Sequence, residues 1–201
     1  MEFPLAVDEE LPPRFERKQV LVRLLVVMAL GALQQLCMSL AGALYLFLPV
    51  AAAVLILVRR GGPAYLTEEG PWLRVLLEWV VGLYAFLFFV TDRLPHMSGS
   101  NATHLQIEAG GWPTPTSALL RLITSLPHAV FVALFSTAAS FVSLYAAFAV
   151  LVHGRYSRRL YHFQAFTVEW AARLLAYHAS LVSTYPPFVF DEHDSHERHA
   201  H

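Results

Sequence analysis

Hydrophobic residues run almost unbroken from Val20 to Val58, where Arg23 is the only charge, and again from Thr116 to Val152, where Arg121 is. A core helix of a soluble domain carries a polar face, so each block reads as membrane-embedded. One helix over the first block would be roughly 57 Å long at about 1.5 Å per residue, nearly twice a hydrocarbon core of about 30 Å. The pattern therefore predicts a hairpin of two short spanning helices in each block. Gln34 and Gln35, or Ser39 to Gly42, are candidate turns in the first block, and Ser136 to Ser143 in the second. A mixed stretch follows each block: Pro71 to Val90, then Tyr161 to Val182. In the latter, Glu169 and Arg173 stand four apart on one helix face, while Phe166, Trp170, Leu174, Tyr177 and Leu181 recur at helical spacing on another. Such helices are expected to lie in the headgroup layer. The expected fold is thus an all-α membrane protein with two tandem helical hairpins, four short transmembrane helices in all, each hairpin followed by an amphipathic interfacial helix.

The same order of elements occurs twice. Placing Glu78-Trp79 over Glu169-Trp170 also superposes Pro95 on Pro186 without a gap, which reads as an internal duplication. The expected organisation is a polar N-terminal tail over 1–18, a first membrane repeat over 19–95, a linker over 96–115, a second repeat over 116–188, and a His-rich acidic tail over 189–201. The linker has loop composition, with Ser98, Gly99, Ser100, Gly110, Gly111 and Pro113. Pro95 and Pro186-Pro187 are expected to stop the helices before them.

Charge adds orientation. Arg14, Arg17, Lys18 and Arg23 precede the first block and Arg59-Arg60 follow it; Arg121 opens the second block and Arg155, Arg158 and Arg159 close it. Cytoplasmic flanks collect such residues, so both hairpins are expected to open toward the cytoplasm, with both termini there. With 56% hydrophobic residues, 14% charged residues and a net charge of -1, the chain lacks the basic footprint that nucleic-acid binding requires. Cys37 is the only cysteine, which excludes an intramolecular disulfide and a thiolate metal cage.

The run Gly154-Arg155-Tyr156, with Leu160, Phe163, Trp170, Arg173 and Tyr177 and the closing Tyr185-Pro186-Pro187-Phe188, resembles the bacterial membrane-protein family known as domain of unknown function 4389. The first half keeps a weaker version in Gly62, Trp79, Tyr84 and Thr91 to Pro95, so the resemblance implies two diverged copies. Ser157, Glu169 and Ser183-Thr184 depart from the family pattern. The resemblance implies a multi-pass protein of the bacterial inner (cytoplasmic) membrane and no particular reaction.

Ten histidines are the main candidate chemistry. His193, His196, His199 and His201 lie among acidic residues in the tail, a set able to hold a divalent ion. His128, His153 and His162 are candidate cofactor ligands, because an ionisable group within a membrane segment is costly; His128 follows Pro127 and equally suits a carbonyl that the proline frees. No phosphate loop, nucleophile elbow or zinc-protease helix motif occurs, so no catalytic residue and no obligatory cofactor are expected. Trp79, Trp170, Arg173, Tyr177, Tyr185, Pro186, Pro187 and Phe188 are the candidate partner-contact residues. The expected function is a non-enzymatic accessory or scaffold subunit of a larger inner-membrane complex, with the lipid bilayer and other membrane subunits as partners. The competing expectation is a small transporter or metal-handling protein using the histidines.

Overall fold

In the computed structural model, residues 5–8, 45–95, 104–107 and 110–186 are described. Most of the first predicted hairpin, Cys37, Pro187, Phe188 and the histidine tail lie outside them. The described residues form six helices and one short ribbon. The helices are α1 (Tyr45–Val58), α2 (Gly62–Glu68), α3 (Gly70–Leu87), α4 (Pro115–Thr124), α5 (Leu126–His153) and α6 (Arg158–His178). In the ribbon, β1 (Leu5–Asp8) pairs antiparallel with β2 (His104–Ile107), Leu5 opposite Ile107.

The second apolar block is not a hairpin. From Pro127 to Gly154 there is neither Gly nor Pro, and α5 runs unbroken for 28 residues, roughly 42 Å. The hydroxyl groups expected to mark a turn serve the helix instead. Thr137 Oγ1 donates to the Ala133 carbonyl at 2.7 Å and Ser140 Oγ to that of Ser136 at 2.8 Å, a back-bond that helices accommodate. Arg121 and the Arg155 to Arg159 group therefore lie at opposite ends of α5, and the charge argument that placed both ends of this block on one side no longer applies.

Helix α5 ends at Gly154, whose φ of 71° is left-handed, and α6 returns beside α5. Gln164, wholly buried, donates to the Ala139 carbonyl at 3.1 Å and to Ser143 Oγ at 3.0 Å. Nearer the other end, Trp170 lies among Phe131, Phe135 and Phe166, with ring centroids 5.4–6.1 Å away. The apolar stripe of α6 was expected to face the bilayer surface. It is instead inside the protein: Trp170, Leu174, Tyr177 and Leu181 are all buried, because α6 lies between α5 on one side and α3 on the other.

Helices α3 and α6 are antiparallel. Gly70 at the start of α3 lies beside Leu181, and Tyr156, just before α6, donates to the Phe89 carbonyl just after α3 at 2.8 Å. Leu73, Leu77 and Val81 of α3 share one core with Ala172 and Ala176 of α6, small residues that allow close approach. Both helices end alike, though not at the predicted prolines. Phe89 and Ser180 take left-handed φ values of 59° and 56°, and Val90 and Leu181 N–H groups reach back five residues to the Ala85 and Ala176 carbonyls, at 2.8 and 3.2 Å. This is a Schellman-type stop, and it recurs at the spacing that superposes Glu78-Trp79 on Glu169-Trp170.

Since α3 and α5 point the same way, the connection between them is a return, of which residues 88–95, 104–107 and 110–114 are described. The described part of that return includes β2 against α3, with β1 against α6. The return ends where the Gly110 N–H meets the Leu181 carbonyl at 3.1 Å and Pro113 presses on Gly62. Thr114 and Ser117 then form a capping box that starts α4.

A Cβ at Gly62 would fall on the Pro113 carbonyl and ring. Gly62→Ala is expected to destabilise the fold by roughly 1–3 kcal/mol through overpacking. Gly154→Ala, with nothing within 4 Å of the new Cβ, should cost about 1 kcal/mol for the left-handed backbone alone. Thermal unfolding of both variants in one detergent checks the order.

Candidate functional site

The densest polar cluster sits where α4 breaks into α5 and where α6 ends. Pro127 has no N–H, and a helix end leaves carbonyls without intrahelical donors. Side chains fill these positions, most of them distant in sequence. Tyr45 of α1 donates to the Leu122 carbonyl at 2.7 Å, Tyr185 to that of Thr124 at 2.9 Å, and Ser125 Oγ to that of Arg121. At the end of α6, Tyr65 donates to the Ala179 carbonyl. Arg121 Nη1 donates to the carbonyls of Tyr177 and, at 2.8 Å, of Val182.

Arg121 is thus not a solvated boundary charge. It is 6% exposed, makes no ion pair with a carboxylate among the described residues, and lies 4.3 Å from the Tyr177 ring centre. The negative end of the α6 dipole and an aromatic face take the place of a counter-ion.

Ser125 Oγ lies 2.6 Å from His178 Nε2, the spacing of a nucleophile and its base. Ser125 has one hydroxyl proton, and both the Arg121 carbonyl and His178 Nε2 lie within its reach; Tyr45, 3.1 Å from the same oxygen, gives its proton to Leu122. With the serine proton on the carbonyl, His178 Nε2 is the donor to Ser125. Both residues are fully buried. The same logic assigns His128, whose Nδ1 is 2.7 Å from Tyr185 Oη. Tyr185 spends its proton on Thr124, so His128 carries its own on Nδ1. At the break between α4 and α5, His128 thus acts through Tyr185 on the Thr124 carbonyl, and not by the direct bond to a freed carbonyl expected of it.

The candidate cofactor histidines do not converge. His128 is buried at one end of α5, whereas His153 and His162 are exposed near the other, 25 residues and roughly 37 Å along the helix. Among the described residues no three His, Cys, Asp or Glu side chains gather as a metal site; His193, His196, His199 and His201 lie outside those residues. Of the candidate contact residues, Trp170, Tyr177 and Pro186 are buried within this chain, Trp79 and Arg173 are half-buried, and Tyr185 is exposed at its edge. Arg173 pairs with Glu169, as the spacing predicted.

Residues 115–189 match the family model for a domain of unknown function (DUF4389). The matched stretch is α4, α5, α6 and the segment that Tyr185 ties down. It contains most of the cluster, and Tyr45 and Tyr65 reach it from the first half. No curated protein and no solved structure matches the chain.

A second polar knot lies between α2 and α3. Arg59 pairs with Glu68 and Glu69, each at 2.6 Å, and the Trp72 indole N–H donates to Glu69. These donors favour the ionised carboxyl, the Trp72 bond first, and hold Glu69 below the usual carboxylate range.

Sequence reasoning passed over Tyr45, Tyr65, Ser125 and His178. The available signal was Pro127, which announces orphaned carbonyls, together with tyrosines set in otherwise apolar runs.

Arg121→Met leaves two buried carbonyls without a charged donor and is expected to lower stability by roughly 3 kcal/mol, with Arg121→Lys intermediate because an ammonium does not reproduce the planar fork; denaturant unfolding in detergent measures both. The Glu69 contribution is present above the ordinary glutamate pKa of about 4.3 and is lost as pH falls through its lower folded value. A melting-temperature profile against pH should show this acid-side fall in the wild type and a smaller one in Glu69→Gln.

Proposed function

We propose that the protein is a non-enzymatic accessory or scaffold subunit of a bacterial inner-membrane complex. Among the described residues two helices, α3 and α5, are long and apolar enough to cross a membrane, or three spans if the bent α1–α2 pair counts as one. The observation that carries the proposal is the contrast between two sides of the molecule. On α5, Val130, Leu134, Phe141, Tyr145, Phe148 and Val152 are exposed and recur at helical steps along the full rod, a surface suited to acyl chains. On the other side, β1 and β2 lie against α6 and α3. Among the described residues this ribbon has two strands and so two open backbone edges, which a hydrocarbon environment does not accept. The lipid-facing side is α5; the ribbon side is assigned to a neighbouring subunit. The polar cluster supports the same reading, since its hydroxyl, imidazole and guanidinium groups are directed at backbone carbonyls and at one another.

In this reading α5 and α6 form an antiparallel pair across the bilayer, with the Glu169–Arg173 pair neutralised on α6. Arg155, Arg158 and Arg159 at the connecting loop face the cytoplasm. Residue 186 then lies on the opposite side, in place of the cytoplasmic C-terminus that the hairpin arrangement implied. An internal duplication accounts for the matching stops of α3 and α6.

Purification of the full chain from native membranes in mild detergent should retain a stoichiometric membrane-protein partner, and cross-linkers placed on β2 should capture it. A monodisperse monomer in several mild detergents, with no cross-linked neighbour in cells, would overturn the proposal. Cysteine labelling at Ser157 in a Cys37→Ser background is expected from the cytoplasmic side only.

A further inference from the structure

At the loop joining α5 to α6 the surface sinks into a shallow depression of about 420 Å³, lined by Tyr145, Ala149, His153, Arg155, Tyr156 and Ser157. Its floor is fixed: Tyr156 is tied to the Phe89 carbonyl at 2.8 Å and packs edge-on against the Phe89 ring. One of its lining residues is a cation, Arg155, and two more follow it in the chain at the start of α6, Arg158 and Arg159. Arg155, Arg158 and Arg159 are exposed and make no ion pair among the described residues, and the chain has no Asp or Glu between Glu108 and Glu169. Its lower wall is apolar and continuous with the exposed stripe Phe141, Leu144, Tyr145, Phe148 and Val152 of α5. The apolar stretch of α5 long enough to cross a membrane ends at Val150, so the depression stands at the level where hydrocarbon gives way to headgroups.

The geometry points to a binding site for one anionic phospholipid: its headgroup phosphate held by Arg155 with Ser157 and His153, an acyl chain laid along Tyr145 and the α5 stripe. This rests on the membrane placement of α5 proposed above. Arg155, with Arg158 and Arg159 close by in the chain and none of them ion-paired among the described residues, complements a phosphate, whereas a zwitterionic headgroup brings a compensating ammonium. An apolar wall running away from the cations suits a lipid-borne phosphate and gives a free one nothing to contact. Arg158 and Arg159 extend the positive field around the rim.

The test uses the full-length protein in nanodiscs of phosphatidylcholine doped with phosphatidylglycerol, with lipids retained after transfer to detergent counted by native mass spectrometry. The wild type should keep one phosphatidylglycerol in preference to phosphatidylcholine. Arg155→Gln should weaken that retention about five-fold and the triple Arg155, Arg158, Arg159→Gln variant about a hundred-fold. Arg155→Lys should retain most of it, and Arg60→Gln, at the other end of the molecule, should change nothing. Equal retention of the two lipids, or an unchanged Arg155→Gln, would overturn the site. Retention abolished by millimolar inorganic phosphate, with no preference for the lipid, would overturn the lipid as its source. Release of the protein from membranes by an alkaline carbonate wash would instead overturn the membrane placement itself.

Discussion

Every helix end that is buried in this protein must have its carbonyls satisfied, and that requirement organises the rest of the structure. At the ends of α4 and α6 the donors come from elsewhere in the chain: Tyr45, Tyr65, Arg121 and Tyr185. Each bond joins two elements, so α1, α2, α4, α5, α6 and the C-terminal segment meet at one place. A buried carbonyl left unpaired costs about 1–3 kcal/mol, and several such groups within one cluster make that meeting place hard to dissolve piecemeal. The presence of a buried Arg121 follows from the same requirement. One guanidinium answers two carbonyls of α6 while a tyrosine face covers its charge.

That junction also decides what the reactive-looking groups can do. Ser125 and His178 stand at hydrogen-bonding distance, and the serine hydroxyl also reaches the Arg121 carbonyl, so both groups are tied into the network. His128 belongs to the same network through Tyr185. Away from the junction the polar groups have local duties: Gln164 fastens the middle of α5 to α6, and Glu69 fastens α1 to the start of α3.

The hairpin expected in the second apolar block shows why length alone misleads. A block too long for one simple span invites a turn, and serines look like turn residues. No glycine or proline interrupts 128–153, however, and hydroxyls in an apolar setting can bond back to their own helix. The break falls eleven residues into the block, at Pro127, where the backbone donor is missing. Likewise Pro95 and Pro186 suggested helix stops, but the helices end earlier, at Phe89 and Ser180. Those residues accept a left-handed backbone that no local propensity announces.

Composition and helical spacing, which are local, already establish that the chain is helical and strongly apolar and that Glu169 pairs with Arg173. It took the packing of the described residues to show that α6 is the buried middle rod, that Arg121 is an interior cation, and that His128 lies far from His153 and His162. The physical reason is that an apolar stripe records that a face will be covered but not by what, and a tyrosine or arginine in an apolar run does not reveal which distant carbonyl it will answer.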